Sequence, residues 1–298
     1  MDTADIQNIS ELLVDAERAD GVRPLSDHLW LDLRQGGRPG FIGLIATEED
    51  HDHPIAYCQL SRGNESWSLD LVVHPHHRYD MATIGNELMT AAVDIVKSEG
   101  GGRVHWWVFE ASQLHRTLAQ EFGLQRGREL LQLRVALPLP QPLAKRGTTI
   151  TTRPFDFPKD ASSWLETNNA AFAQHPEQGA WELDVLQARI SESWFDPKGV
   201  LIHDIDSKIG AFCWTKMHPE TTPLVGEIYV IAVNPACAGR GLGSAITVAG
   251  LNHLAASGAD VGMLFVDADN AAAISMYMTL GFVVHHTELA FVGDISTS

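Results

Sequence analysis

A short glycine-rich stretch in the C-terminal half is the part of this sequence best suited to holding a phosphorylated ligand. It reads Ala238-Gly-Arg-Gly-Leu-Gly-Ser244 and connects an apolar run at 226–233 to a helix-like pattern at 241–257. Glycines allow positive φ and a close approach of backbone to ligand. A helix start adds unpaired N–H groups and the positive end of a dipole. A diphosphate would fit there with Arg240 as a nearby cation; a plain helix-entry loop is the alternative.

A second motif follows one strand later, between Asp269 and Phe282. Asn270 and Ala273 open a predicted helix, and Tyr277 falls one turn further along on the same face. Asn270 and Tyr277 are therefore candidate functional residues. The alternative is structural, with Asn270 as an N-cap and Tyr277 as a half-buried helical residue.

Glu227 stands near the start of the apolar run at 226–233. A carboxylate beside apolar residues can act as a general base, directly or through water. Its alternative is a strand-edge carboxylate facing solvent. Cys213 and Cys237 are poor candidates for a nucleophile, because no histidine at a recognisable spacing would activate them.

Composition excludes several classes of function. The formal charge of -17 argues against a nucleic-acid or anionic-membrane partner, which would call for basic patches. Three scattered cysteines predict neither a disulfide framework nor a zinc site. His51, His53 and the run His74-Pro-His-His77 lack the spacing of metal ligands, so we expect no metal. No signal-peptide pattern or membrane span is recognisable, and we expect a cytoplasmic protein.

The sequence also repeats itself. The run ending at Val73 and Pro75 resembles the one ending at Val233 and Pro235, and Gly123 corresponds to Gly281 at nearly the same offset. We therefore predict one domain at 1–137, an extended proline-rich linker at 138–147 and a second domain at 148–298. In the second copy the pattern predicts strands at 149–153, 200–204, 209–218, 226–233 and 261–266, helices at 161–172, 183–191, 241–257 and 270–280, and final strands at 282–291.

The two motifs together resemble the GNAT acetyltransferase superfamily. That resemblance implies an α+β chain of two tandem GNAT domains, each with a mixed, mostly antiparallel central sheet flanked by helices. It implies acetyl-CoA as co-substrate and direct attack of an amine on the thioester, with Glu227 as base and Tyr277 as acid. It places acetyl-CoA against backbone and side chains of three segments: Ile231, Ala232 and Val233; Ala238, Gly239, Arg240, Gly241, Leu242, Gly243 and Ser244; and Asn270, Ala271, Ala272, Ala273, Ile274 and Ser275. Ala238 departs from the Gln or Arg that the superfamily prefers.

Over its whole length the chain is similar to the mycothiol synthase family. The residues that carry this likeness are His175–Trp181, Trp214–His218, Gly226–Tyr229 and Leu264–Asn270. It implies transfer of acetyl to the cysteinyl amine of cysteinyl-glucosaminyl-inositol. It also implies substrate contacts from Asp27, Glu177, Lys216, Glu227 and Phe265. Phe265 stands where that family commonly has tyrosine, and Asp27 where it commonly has glutamate.

The first copy lacks the phosphate-binding loop, since Asp80, Met81 and Thr83 align with Arg240, Gly241 and Gly243. We expect it not to be catalytic, with a possible second acetyl-CoA site at Leu71, Val72 and Val73. We further expect a small-molecule substrate and a monomer. Two alternatives stay open: a GNAT enzyme for another amine, such as an aminoglycoside or polyamine, and a non-catalytic acetyl-CoA sensor.

Overall fold

The computed structural model describes residues 3–25, 27–34, 40–48, 53–63, 66–173 and 181–297. Short helical turns at 75–80, 145–149, 197–199 and 235–237 join the main elements. In chain order these elements are α1 (Thr3–Asp20), α2 (Asp27–Arg34), β1 (Phe41–Ala46), β2 (Ala56–Arg62), β3 (Ser66–Val73), α3 (Met81–Ser98), β4 (Gly102–Phe109), α4 (Gln113–Glu121), β5 (Gln125–Ala136), α5 (Gln141–Ala144), β6 (Arg153–Pro154), α6 (Phe157–Ala171), α7 (Leu183–Ile190), β7 (Val200–Ile205), β8 (Lys208–His218), β9 (Val225–Val233), α8 (Leu242–Ala256), β10 (Val261–Asp267), α9 (Ala271–Thr279) and β11 (Val283–Ile295).

The chain forms two compact units. Unit 1 consists of Met1–Leu130 with His286–Ser298, and unit 2 of Leu131–His285. These spatial units do not follow the sequence copies, because the last strand of the chain belongs to unit 1. The division into domains at 1–137 and 148–298 concerns the sequence repeat and stays a prediction.

In unit 1 the strand order is β1-β2-β3-β4-β11. The β1–β2, β2–β3 and β4–β11 pairs are antiparallel, and β3–β4 is parallel. Residues alternate between two cores. Cys58 and Leu69 join the core under α3 and α4, whereas Tyr57 and Val72 join the core under α1 and α2. A sheet with a helical layer on each face results.

Unit 2 has the order β10-β9-β8-β7-β6, with β9–β10 as its parallel pair. β8 is buried along most of its length, because its alternate residues serve both faces. Ala211 and Cys213 pack in the core beneath α8, while Phe212 and Trp214 pack in the core beneath α6 and α7. The β7–β8 hairpin turns through Asp206 and Ser207, which both have positive φ.

The segment between the predicted domains differs from the expected extended linker. Gln141–Ala144 forms a helical turn with Pro142 in its first positions, and Lys145–Thr149 continues as a 3₁₀ turn. Proline is well tolerated in a first helical turn because its missing N–H has no partner to lose there. The strand predicted at 149–153 is shorter, because the 3₁₀ turn extends to Thr149, and only Arg153–Pro154 pairs with β7.

Within the described residues, none of the helices is long and apolar enough to cross a membrane.

Candidate active site

The ladder between β9 and β10 is short, and its end creates a gap in the unit 2 sheet. Three parallel pairs are formed, Val261↔Val225, Gly262↔Gly226 and Met263↔Glu227. β9 then runs on to Val233 and β10 to Asp267, and within the described residues the two strands form no further pairs with each other. The predicted pantetheine-binding residues Ile231, Ala232 and Val233 lie on this separated part of β9. An extended ligand can add to a strand edge of this kind through backbone hydrogen bonds.

A β-bulge lies in the same strand. The β8–β9 register changes between Trp214↔Val230 and Thr215↔Ile228, so Tyr229 is the extra residue. As a result Tyr229 and Val230 both pack in the core beneath α6 and α7, whereas Ile228 and Ile231 pack beneath α8. By the alternation of side chains along a strand, Glu227 lies on the α6–α7 side of the sheet.

The glycine-rich loop enters α8 with the geometry expected of an anion site. Gly239 has φ of +77° and Gly241, the N-cap, has φ of +74°. A Cβ at either position would meet no atom within 4 Å, so positive φ and not crowding requires glycine there. Within the described part of the chain, the N–H groups of Gly239, Arg240 and Gly241 donate no hydrogen bond. Ser244 adds a buried hydroxyl that has no hydrogen-bond partner among the described residues.

These features fit a diphosphate. The first turn of any helix leaves N–H groups unsatisfied, and the dipole favours an anion at that end. Leu242 is buried in the core beneath α8. A Cβ added at position 243 would lie 3.4 Å from the sulfur of Met276, so the space beside Gly243 is small. Ala238 and Arg240 are exposed.

Helix α9 holds the second motif. The side-chain oxygen of Asn270 accepts a hydrogen bond from the N–H of Ala273 at 3.1 Å, so Asn270 is the N-cap of α9. Ala271, Ala272 and Ser275 are exposed, and Ala273 and Ile274 are half-buried against the core beneath α8.

Tyr277 lies in that same core, 6% exposed, with its ring in edge contact with Phe282 at a centroid distance of 5.5 Å. No hydrogen bond to its hydroxyl is formed within the described residues. Burial raises the pKa of the Tyr277 phenol well above its usual range, and the nearby Cys213 thiol acts in the same direction. The phenol is therefore protonated at neutral pH, as an acid must be before it donates.

Glu227 is buried at 9% exposure and pairs with a histidine. The Nε2 atom of His218 lies 2.7 Å from Oε2 of Glu227, and the Nδ1 atom of His218 lies 3.5 Å from Oε1 of Glu220. Lys216 lies directly opposite Glu227 in the β8–β9 ladder. Its Nζ atom sits 4.8 Å from the ring centroid of Trp194, a cation–π contact, and Trp194 in turn packs edge-on against Tyr229 at 5.0 Å.

The structure brings Lys216 and Glu227 together but leaves other predicted substrate contacts untested. Phe265 is on β10 and 40% exposed. Asp27 begins α2, and its side chain lies outside the described residues. Glu177 lies outside them as well, within 174–180. His218, Trp194 and Tyr229 are additions that sequence reasoning did not single out. The signal for His218 was its position two residues after Lys216, which places both on one face of a strand.

Unit 1 has a similar gap between two parallel strands, but it lacks the bulge and the charged pair found in unit 2. β3 and β4 stop pairing at Leu69↔Trp106, and beyond this point lies a cavity of 340 Å³. Its lining includes the predicted residues Leu71, Val72 and Val73. The β2–β3 ladder has no bulge. The β2–β3 pair Ala56↔Val73 corresponds to the β8–β9 pair Ala211↔Val233. Counted along the two ladders from these pairs, the pair Ser61↔Ser68 in unit 1 corresponds to the pair Lys216↔Glu227 in unit 2.

The loop after β3 also differs from its counterpart in unit 2. It forms a 3₁₀ turn, Pro75–Asp80, in place of a glycine loop, and Arg78 is held in a two-pronged ion pair with Asp20 at 2.6 and 2.7 Å. Asp70 lines the cavity, and burial raises the pKa of its carboxyl to about 7, against the opposing effect of a hydrogen bond from Ser68.

Among the residues that the structure describes, the three cysteines are free thiols. Cys58 and Cys213 are buried, and burial raises the pKa of both thiols. Among the described residues, no group of three or more His, Cys, Asp or Glu side chains could hold a metal ion. Of the histidines considered as ligands, His51 lies outside the described residues.

Known proteins resemble this chain in sequence and in fold. The Acetyltransferase (GNAT) family matches residues 163–282. A mycothiol acetyltransferase of Acidimicrobium ferrooxidans is 37% identical over 297 residues, covering 96% of this chain and 93% of that protein. One from Streptomyces coelicolor is 39% identical over 287 residues, covering 94% and 89%.

Solved structures agree on the fold. A GCN5-related N-acetyltransferase from Sphaerobacter thermophilus has a TM-score of 0.71 at 22% identity, covering 98% of this chain and 93% of that one. A tandem GNAT protein from the clavulanic acid biosynthesis pathway has a TM-score of 0.71 at 14% identity, covering 100% and 97%. The predicted α+β fold with tandem GNAT domains is confirmed. By its sequence identity to relatives over nearly their full length, this chain belongs to the mycothiol acetyltransferase family of GNAT acetyltransferases.

Proposed function

We propose that this enzyme transfers the acetyl group of acetyl-CoA to the cysteinyl amine of cysteinyl-glucosaminyl-inositol, the last step of mycothiol biosynthesis. The observation that carries the mechanism is the position of Glu227. It is the last residue of β9 to pair with β10, and the separated strands begin beside its carboxylate.

Acetyl-CoA would bind along β9 and end at α8. The N–H groups of 239–244 and the Ser244 hydroxyl supply donors for the diphosphate, and the separated stretch Ile231–Val233 supplies backbone for the pantetheine arm. This arrangement supports the proposed cofactor contacts at both segments. Asn270 contributes by beginning α9, and Ala271–Ser275 form the turns that place Tyr277.

Glu227 and Tyr277 would act from opposite sides of the sheet. Glu227 lies on the α6–α7 face, and Tyr277 lies in the core beneath α8. A thioester in the gap between β9 and β10 therefore has the carboxylate on one side and the phenol on the other. The carboxylate takes one proton from the substrate ammonium, and the freed amine forms a C–N bond to the carbonyl carbon. The C–S bond then breaks as the phenol protonates the departing thiolate, and the second proton that the amide nitrogen loses restores the phenol.

The residues near Glu227 support a polar substrate with an amino group. Lys216 offers N–H donors to hydroxyl groups, and Glu227 accepts from an ammonium. Trp194 and Tyr229 give an apolar wall beside them. Asp27, Glu177 and Phe265 remain proposed substrate contacts, carried by the family resemblance.

Unit 1 would not catalyse the reaction. Serine occupies the positions that correspond to Lys216 and Glu227. A 3₁₀ turn, in which Arg78 is ion-paired with Asp20, replaces the glycine loop. Because a cavity lies beside Leu71–Val73, we still propose a second acetyl-CoA site there. Direct binding to Gly241→Asp protein would test it, since any acetyl-CoA still bound would occupy unit 1.

A thiol-release assay tests the function. Purified protein is mixed with acetyl-CoA and one of three amines: cysteinyl-glucosaminyl-inositol, an aminoglycoside or a polyamine. We expect kcat/KM for the first amine to exceed the others at least about a hundredfold, which corresponds to a transition-state difference of about 2.7 kcal/mol.

Each other result has a defined meaning. Equal or faster turnover of a polyamine or aminoglycoside overturns the substrate assignment but leaves the acetyltransferase. Binding of acetyl-CoA without thiol release from any of the amines would favour the sensor alternative.

A further inference from the structure

His218 is placed to control the carboxylate of Glu227. The β8–β9 register sets Lys216 opposite Glu227 and His218 opposite Val225, so His218 is the diagonal neighbour of Glu227 on the same face. Its Nε2 atom lies 2.7 Å from Oε2 of Glu227, within hydrogen-bond distance. The hydrogen bond to a carboxylate fixes the tautomer with a proton on Nε2.

This bond leaves one carboxylate oxygen uncommitted. Within the described residues, Oε1 of Glu227 has no hydrogen-bond partner, and Oε2 is taken by His218. Accessibility increases outward through the three side chains, from 11% for Glu227 to 17% for His218 and 43% for Glu220. The imidazole therefore covers one oxygen of a nearly buried carboxylate.

The local fold does not depend on the imidazole ring. The turn after β8 is held by the backbone carbonyl of His218, which accepts from the N–H of Thr221 at 3.1 Å and from its hydroxyl at 2.8 Å. The Thr221 hydroxyl also accepts from the N–H of Val225 at 2.9 Å. A substitution at position 218 keeps these bonds, so the ring contributes something other than the turn.

We propose that His218 is a positioning residue for acetyl transfer: its Nε2–H holds Oε2 of Glu227 and thereby directs Oε1 at the substrate ammonium. This inference rests on the proposed role of Glu227 as base. During the step, one N–H bond of the ammonium breaks and its proton forms an O–H bond at Oε1. The imidazole keeps its own proton throughout, and water later removes the proton from Oε1.

Two substitutions separate this role from a structural one. His218→Ala removes the donor, whereas His218→Gln retains an N–H that can reach the same oxygen. A hydrogen bond to a charged group contributes about 1.5–3 kcal/mol, so His218→Ala should lower kcat about tenfold to a hundredfold with KM for acetyl-CoA unchanged. His218→Gln should recover most of that loss.

The control is His203→Gln on β7, where the ring Nδ1 lies 2.9 Å from the backbone carbonyl of Thr151. This variant replaces a histidine of the same unit outside the site, and its kcat should match the parent enzyme. The double variant His218→Ala/Glu227→Gln should be no slower than Glu227→Gln alone, because a positioning effect vanishes with the group that is positioned.

Several outcomes overturn the inference. They are an unchanged kcat in His218→Ala, a His218→Gln variant as slow as His218→Ala, and a loss that appears as weaker acetyl-CoA binding or a lower Tm. A parallel measurement of Glu227→Gln separates the role of Glu227 as base from the positioning role of His218. If Glu227→Gln turns over normally, the proposed function of Glu227 fails; if it is inactive while His218→Ala is normal, only the positioning role fails.

Discussion

Glu227 and Tyr277 lie on opposite faces of the unit 2 sheet, one beneath α6 and α7 and the other beneath α8. The parallel ladder between β9 and β10 ends at Glu227, so a ligand in the resulting gap meets both faces. Neither side chain needs to cross the sheet. This relationship determines the first two predictions.

Replacing Glu227 with Gln should lower kcat by about 10²–10⁴-fold, the range by which a positioned general base contributes. The amide cannot accept the ammonium proton, but it keeps the size of the side chain. Steady-state thiol release gives kcat, and calorimetric titration gives acetyl-CoA affinity, which should be unchanged. The matched control is Glu166→Gln on the exposed side of α6, which should leave kcat and acetyl-CoA affinity unchanged. Full activity in Glu227→Gln would remove this residue from the mechanism.

Replacing Tyr277 with Phe should slow departure of the CoA thiolate. Burial keeps the pKa of the Tyr277 phenol above the ordinary tyrosine value, so the acid form persists as pH rises through 10. In the parent enzyme, loss of activity from phenol ionisation should therefore begin only above that pH. The variant should have a lower kcat at every pH and lack this basic limb. A pH profile that keeps its basic limb in Tyr277→Phe would show that another group is the acid.

Replacing Gly241 with Ala should raise KM for acetyl-CoA. Alanine at φ of +74° costs about 1–2 kcal/mol, and its Cβ projects into the space at the start of α8. Gly258→Ala is a matched control, since Gly258 has φ of +96° just past the other end of α8. Both variants should lose stability in thermal unfolding, but only Gly241→Ala should bind acetyl-CoA more weakly. Equal KM values in the two variants would mean that the diphosphate binds elsewhere.

Replacing Asp70 with Asn should stabilise the protein more at pH 8 than at pH 4.5. The folded-state pKa of Asp70 is raised to about 7, so the charged form is unfavourable in the folded protein. In the parent, stability is fully present below the unfolded pKa near 4 and falls as pH rises toward 7. Asparagine has no such dependence and should gain about 1–2 kcal/mol at pH 8, after allowance for partial solvent access. Urea unfolding at the two pH values measures this, and an equal effect at both would contradict the shift.

Much of unit 2 could be predicted from sequence because its signals are local. The apolar run at 226–233 became β9 at Val225–Val233, the pattern at 241–257 became α8, and the strands expected at 200–204 and 209–218 became β7 and β8. The glycine loop was recognisable because positive φ at Gly239 and Gly241 requires that residue type. Local backbone preferences decide all of these features.

What could not be predicted depends on pairing between distant residues. Residues 282–291 read as strands, but β11 pairs with β4, which lies far away in the sequence. Periodicity identifies a strand and its buried face, and it carries no information about the neighbour. The His218–Glu227 bond arises in the same way, from the register of β8 against β9 and from the bulge at Tyr229.

The position of β11 in unit 1 has a consequence for folding during synthesis. The strand that completes this unit, residues 286–295 beside β4, follows the whole of unit 2 in the sequence and is therefore synthesised after it. Until then β4 has an uncovered edge, and exposed edges invite pairing with other chains. Unit 1 thus stays incomplete until unit 2 has been synthesised, although most of unit 1 precedes unit 2 in the sequence.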